Sequence, residues 1–104
     1  MQHTYLTTAM YHFVSLPHFK TLREPLLEFC ISRDVKGTIL LADEGINGTV
    51  AGSEKSILEL IHYLKHDAIF EGNFKNLSHK ESWSDKHPFY RMKVKLKKEI
   101  VTLG

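Results

Sequence analysis

The sequence predicts an α/β (α+β) fold, a ferredoxin-like βαββαβ sandwich with an extra C-terminal strand, in which an antiparallel sheet carries two helices on one face. Three observations lead to it. Apolar residues recur at helical spacing in two places, Leu22 to Cys30 and Ile57 to Leu64. Short runs of β-favouring residues precede, separate and follow those two segments. A chain of 104 residues, 42% hydrophobic and 25% charged, has room for one modest core, so all the elements belong to a single domain spanning 1–104.

Taken in order, Tyr11 to Leu16 (YHFVSL) is aromatic, partly alternating and stopped by Pro17, which reads as a strand. Thr21-Leu-Arg-Glu24 has the form of a capping box, with Thr21 as N-cap and Glu24 reaching back. Pro25 is tolerated only in a first helical turn, so the helix starts near Thr21 to Glu24 and runs to about Arg33. Leu22, Leu26, Phe29 and Cys30 then share one face. Lys36 to Ala42 (KGTILLA) reads as a central strand buried on both sides.

Asp43 to Gly48 (DEGING) reads as a hairpin turn, because Asn47-Gly48 accepts positive φ readily, and Thr49 to Gly52 returns as a third strand. Ser53 caps a second helix, Glu54 to His66, with Ile57, Leu60, Ile61 and Leu64 as its apolar stripe. Asn76 to Trp83 has a weak strand pattern, whereas Tyr90 to Leu96 alternates basic and apolar residues strictly. The longest apolar run, Ile39 to Ala42, is far too short to span a bilayer. The first eleven residues have no secretion-signal pattern, and one cysteine supports neither an internal disulfide nor a cysteine-rich metal site. A cytoplasmic protein without membrane association is the expectation.

The net charge of +2 hides an asymmetry. Residues 1–74 hold six Lys/Arg against nine Asp/Glu, and residues 75–104 hold eight against three. A basic block at one end fits a polyanion partner, or a Lys-rich edge that discourages strand aggregation. Arg91, Lys93, Lys95 and Lys97 fall on one face of the last strand by its two-residue period, and Lys80, Lys86 and Lys98 extend the patch. Like charges at that spacing repel unless a polyanion neutralises them. Trp83, Phe89 and Tyr90 lie close in sequence, either as stacking surfaces for bases or as core.

Other candidates are weaker. Cys30, late on the apolar face of a helix, reads as a small buried hydrophobe. His62 and His66 share a helix face beside Glu59, a two-ligand arrangement or a solvated surface. The loop Leu16-Pro-His-Phe-Lys20 has neither the glycine cradle nor the arginine that acyl phosphate hydrolysis requires. Glu44, Gly45, Ile46, Asn47 and Gly48 either set the turn or present a contact loop with Ile46 exposed at its tip. No catalytic residue, cofactor or metal is expected in this chain.

Two long blocks carry a resemblance. Lys36-Gly-Thr-Ile-Leu-Leu-Ala-Asp-Glu-Gly-Ile-Asn-Gly-Thr-Val-Ala-Gly52 and Pro88-Phe-Tyr-Arg-Met-Lys-Val-Lys-Leu-Lys-Lys-Glu-Ile-Val-Thr-Leu-Gly104 are similar to the signatures of the rhodanese-domain tRNA uridine hydroxylases. Lys80-Glu-Ser82 and Leu22-Arg-Glu-Pro-Leu-Leu27 fit as well. The resemblance implies an N-terminal, acylphosphatase-like accessory domain of a longer chain whose rhodanese-like domain, with the catalytic cysteine, is absent here. It implies that the full-length oxidoreductase converts the wobble uridine of certain tRNAs to 5-hydroxyuridine with molecular oxygen, and that this piece alone is inactive. The implied partners are tRNA, through the full-length protein, and the rhodanese-like domain of the same chain. Three roles stay open: assistance in tRNA binding, structural docking without RNA contact, and an acylphosphatase-type activity.

Overall fold

A computed structural model describes residues 4–98, so the end of the second resemblance block, 99–104, lies outside the described residues. The chain forms β1 (Tyr5–Phe13), α1 (Arg23–Ser32), β2 (Lys36–Ala42), β3 (Gly45–Gly52), α2 (Glu54–His66), β4 (Ser78–Ser84) and β5 (Met92–Leu96), with short 3₁₀ turns before α1 and after α2. The strands make one sheet in the order β4-β1-β3-β2-β5. Every pairing is antiparallel except β2–β5, where the extra strand runs parallel to its neighbour.

The register divides the sheet into two faces. Leu6, Thr8 and Met10 of β1, Ile46 and Val50 of β3, Ile39 and Leu41 of β2, and Val94 of β5 point to the helix side and are buried. Leu26 and Cys30 of α1 and Ile57, Leu60, Ile61 and Leu64 of α2 meet them, and Phe70, Phe74 and Leu77 close the core beyond α2. Among the described residues no helix lies over the opposite face.

Both helices form where their apolar stripes dictate, but their ends have different causes. Ser53 caps α2 with its hydroxyl oxygen accepting from the Ser56 N–H at 3.1 Å. Thr21 caps nothing: its hydroxyl donates to the His18 carbonyl at 2.7 Å, and the 3₁₀ turn Phe19–Leu22 runs directly into α1 without a side-chain cap. The capping box expected at Thr21 is therefore corrected. A preformed 3₁₀ turn already orients the first helical amides. At the other end, Asp34 takes a left-handed φ of 56°, the Asp34 N–H donates to Ile31 O and the Val35 N–H to Cys30 O. This is a Schellman closure that sends buried Val35 into β2.

The first strand and the hairpin also depart from expectation. β1 begins at Tyr5 and ends at Phe13; Val14 and Leu16 instead donate their N–H groups to the carbonyls of Glu44 and Asp43. The turn between β2 and β3 is Asp43–Glu44 alone, with Gly45 at φ 143°. Asn47 and Gly48 lie inside β3, opposite Leu40 and Ile39, and neither has a positive φ. Ile46 is fully buried, not exposed at a tip. A two-residue turn already closes the hairpin, so the Asn47-Gly48 pair is free to be strand.

Candidate nucleic-acid interface

The uncovered face of the sheet collects the side chains that sequence reasoning singled out, and some that it missed. Following the register across the strands, one row reads Lys80, Ala9, Thr49, Thr38, Lys93, and the next reads Ser78, Tyr11, Asn47, Leu40, Lys95. Lys36 shares this face through its pairing with Ala51. No Asp or Glu occurs in β1, β2, β3 or β5, and Glu81, the one carboxylate of β4, pairs with buried Thr8 on the helix side. The strand positions of the open face therefore carry cations and no anion.

The helix layer is mixed in charge, its carboxylates interspersed with Arg23, Arg33, Lys55 and Lys65. Glu24 and Glu28 of α1 and Glu54 and Glu59 of α2 face solvent or its margin, with Asp67 following α2. A groove of about 720 Å³ lies there, lined by Phe29, Arg33, Leu58, Glu59, His62 and Tyr63, among others. Phe29 and Tyr63 stack with ring centres 4.0 Å apart, Arg33 sits 3.7 Å over the Phe29 ring, and its Nε lies 3.6 Å from Glu59. Burial and the carboxylate of Asp67 push the Tyr63 hydroxyl up from its usual range. This mixed, partly acidic surface is a poor match to a polyanion, so the two layers are electrostatically distinct.

The predicted basic residues are not one contiguous strip. Lys93 and Lys95 stand on the open face of β5, with Arg91 just before the strand and Lys97 and Lys98 just after it. Lys80 is on β4, at the opposite edge of the sheet but on the same face. Lys86 belongs to the β4–β5 connection, where its carbonyl accepts from the Ser84 hydroxyl at 2.8 Å. Of the three aromatics named with them, Trp83 is on β4 and faces the helix side through its pairing with Leu6. Phe89 and Tyr90 do adjoin β5, and with Gly37, Thr38, Arg91 and Lys93 they line a shallow depression of about 320 Å³. Tyr90 is 94% exposed.

Sequence reasoning missed Tyr11 and Phe13 as surface groups. Both point to the open face by register, paired with Asn47 and Gly45. They are 43% and 50% exposed and pack edge to face, ring centres 4.8 Å apart. The alternation Tyr5, Thr7, Ala9, Tyr11, Phe13 was the available signal, and it becomes visible only once the strand is started at Tyr5.

The other candidates resolve on geometry. Cys30 is fully buried, and burial pushes its thiol up to about 12 against a smaller opposing effect of Arg33. His62 and His66 stand with ring centres 4.6 Å apart, and no group of three or more His, Cys, Asp or Glu converges among the described residues. In the β1–α1 loop the amides of Leu16, Phe19 and Thr21 already donate to protein carbonyls, so they form no anion cradle. Arg23, the nearest arginine, is held elsewhere: its Nε donates to Val94 O at 2.8 Å and its Nη1 pairs with Glu24. Among the described residues no helix is long and apolar enough to cross a membrane.

Comparison with known proteins agrees with this architecture. The tRNA uridine(34) hydroxylase of Teredinibacter turnerae is 55% identical over 100 residues, 96% of this chain and 30% of that protein. The corresponding proteins of Albidiferax ferrireducens and Bartonella quintana are 54% and 48% identical, over 30% and 33% of their length. The chain thus spans about a third of the curated relatives it matches. Among solved structures, an acylphosphatase from Coxiella burnetii superposes with a TM-score of 0.55 at 16% identity, covering 88% of this chain and 92% of that one. Klebsiella pneumoniae BlrP1 gives 0.62 at 13% identity, over 93% of this chain and 24% of that one. At such identities the likeness is one of fold. Residues 5–100 match the UPF0176 acylphosphatase-like domain, and the chain belongs to that family.

Proposed function

We propose that this chain is the tRNA-holding domain of a tRNA uridine hydroxylase and engages the phosphate backbone through the open face of its sheet. The observation that carries the reading is the charge segregation: Lys80, Lys93 and Lys95 stand on a face whose strand positions hold no carboxylate, while Lys36 on the same face is paired with Asp34 at 3.5 Å. Cations on neighbouring strand positions repel one another unless an anion lies over them, and a phosphate chain supplies anions at a matching, repeated spacing. The names of the relatives, which share 48–55% identity with the chain, supply tRNA as the polyanion and hydroxylation of a uridine as the chemistry of the longer protein. The oxidation itself is assigned to a further, rhodanese-like domain. In this chain the thiol of Cys30 is buried and held protonated, which leaves it a poor nucleophile.

The test is equilibrium binding of unmodified tRNA by this chain over a series of salt concentrations. With two to four phosphates engaged, the slope of log affinity against log salt should be roughly −1.4 to −3.6, at about 0.7–0.9 per contact. No detectable binding at low salt would transfer the domain to a purely structural role.

A further inference from the structure

We infer that the Tyr11–Phe13 pair is a stacking platform for unpaired bases of the bound RNA, on the same sheet face as the lysines that hold its phosphates. The inference rests on the RNA-binding reading of the same face and adds a second mode of contact to it.

Four features combine at this spot. Tyr11 and Phe13 are half exposed on a face that no helix among the described residues covers. Their edge-to-face contact, with planes at 79°, leaves each ring a π-face that its partner does not occupy. The surroundings are low: Tyr11 pairs with Asn47 on one side and Ser78 on the other, and Phe13 pairs with Gly45, which has no side chain. A flat ring can therefore be laid on either aromatic without displacing a bulky neighbour. Finally, Leu40 continues that floor across β2 to Lys95 on β5. Three strand spacings separate β1 from β5, about 14 Å.

That arrangement fits a single strand better than a duplex. A paired helix offers phosphates but hides its base faces in the stack, whereas an unpaired segment presents both to a surface. It also explains why two large aromatics stay solvent-facing in a small domain whose core takes up Phe70 and Phe74 completely. An apolar segment of protein is the competing occupant, and it would make no use of Lys80, one pair along β4, or of Lys93 and Lys95 across the same face.

The experiment compares single-stranded oligouridylate with a fully paired RNA duplex, using this chain, the Tyr11→Leu/Phe13→Leu variant and the Lys93→Gln/Lys95→Gln variant. The aromatic variant should bind oligouridylate roughly fivefold or more weakly per ring lost. Its salt slope and its duplex affinity should stay at the parent values. The lysine variant should weaken both ligands and flatten the slope. Tyr11→Phe, which keeps the ring, should retain the parent affinity. If the aromatic variant binds oligouridylate like the parent while the lysine variant is weakened, stacking is overturned and the phosphate reading survives. If both variants match the parent, both readings fall and the face is a protein-docking surface. A measurement on the unaltered chain guards against misfolding of the variant: irradiated 5-bromouridine oligonucleotide should crosslink to Tyr11 or Phe13, and crosslinks confined to other residues overturn the inference.

Discussion

Gly37 and Gly48 flank the Thr38–Thr49 pair on the two strands of the central hairpin, and each lets the backbone of the opposite strand come closer than a side chain would allow. A Cβ on Gly37 would lie 2.2 Å from the Thr49 carbonyl oxygen, and one on Gly48 would lie 2.4 Å from the Thr38 carbonyl oxygen. The relationship is nearly reciprocal, and it draws together the two strands that carry the middle of the open face. Gly37 has a second constraint, a φ of 138°, which Gly48 does not share.

The two alanine variants should therefore differ. Gly48→Ala meets only the steric clash, at about 1–3 kcal/mol. Gly37→Ala adds backbone strain of similar size. Gly72→Ala is the control, since its φ of 75° is left-handed but nothing lies within 4 Å of an added Cβ. Thermal unfolding should rank the losses Gly37→Ala, Gly48→Ala, Gly72→Ala, with roughly 4 °C or more per kcal/mol for a domain of this size. Equal melting temperatures for Gly48→Ala and the parent chain would show that the hairpin opens to admit a methyl at no cost.

Two hydroxyls that look alike in sequence should behave differently. Ser53→Ala removes the oxygen that accepts from the Ser56 N–H, which should cost about 1 kcal/mol. Thr21→Ala removes only an exposed bond to the His18 carbonyl, and the change should stay within about 0.5 kcal/mol. Denaturant midpoints of the two variants, compared at constant slope, check this. A Thr21 loss as large as that of Ser53 would restore the capping-box assignment.

Cys30 should be chemically silent while the domain is folded. Its thiol is raised from 9.0 to about 12, so almost no thiolate exists at neutral pH, and the side chain is fully buried. Alkylation should proceed only as fast as the domain opens. The raised value also fixes a pH dependence. The folded thiol keeps its proton where the unfolded one loses it, so the stabilisation is fully present below pH 9 and is lost as pH rises from 9 towards 12. Cys30→Ala should cost on the order of 1 kcal/mol at neutral pH and should flatten that alkaline decline. An unchanged decline would assign it to other groups.

How much of this was legible in the sequence depends on which force set each feature. β2 and α2 are found at their predicted bounds, because an apolar run and an apolar stripe record burial, but β2 is not buried on both sides as expected: Lys36, Thr38 and Leu40 stand half-buried on the open face. The first half of β1 was missed because its inward positions include Thr8, fully buried yet polar, which breaks the apolar alternation of Leu6 and Met10. Asn47-Gly48 misled for a different reason. The pair is a strong turn signal, but here the glycine answers to the approach of Thr38 and Ile39 across the sheet, and cross-strand distance leaves no local trace. The lysine alternation of β5 was readable as one face. That Lys80 shares that face from the far edge follows only from the strand order.

That shared face supplies the last prediction. Lys93 and Lys95 on β5 and Lys80 on β4 sit at opposite edges of one sheet, so an RNA lying across it touches both edges. Lys93→Gln/Lys95→Gln keeps side-chain length and strand alternation, and it should reduce the magnitude of the salt slope for tRNA binding by roughly 1–2 units. Adding Lys80→Gln should remove about one further unit. The affinity losses should be similar for different tRNAs, because phosphate contacts position an RNA without reading its sequence. Lys55→Gln/Lys65→Gln, on the helix layer, makes the same change in net charge and should leave the slope where it was. This control separates a located interface from a general effect of charge. If both double variants lower affinity equally, attraction is non-specific and the open face loses its claim. If Lys80→Gln alone is without effect while the β5 pair matters, the RNA path follows the β5 edge and does not cross the sheet.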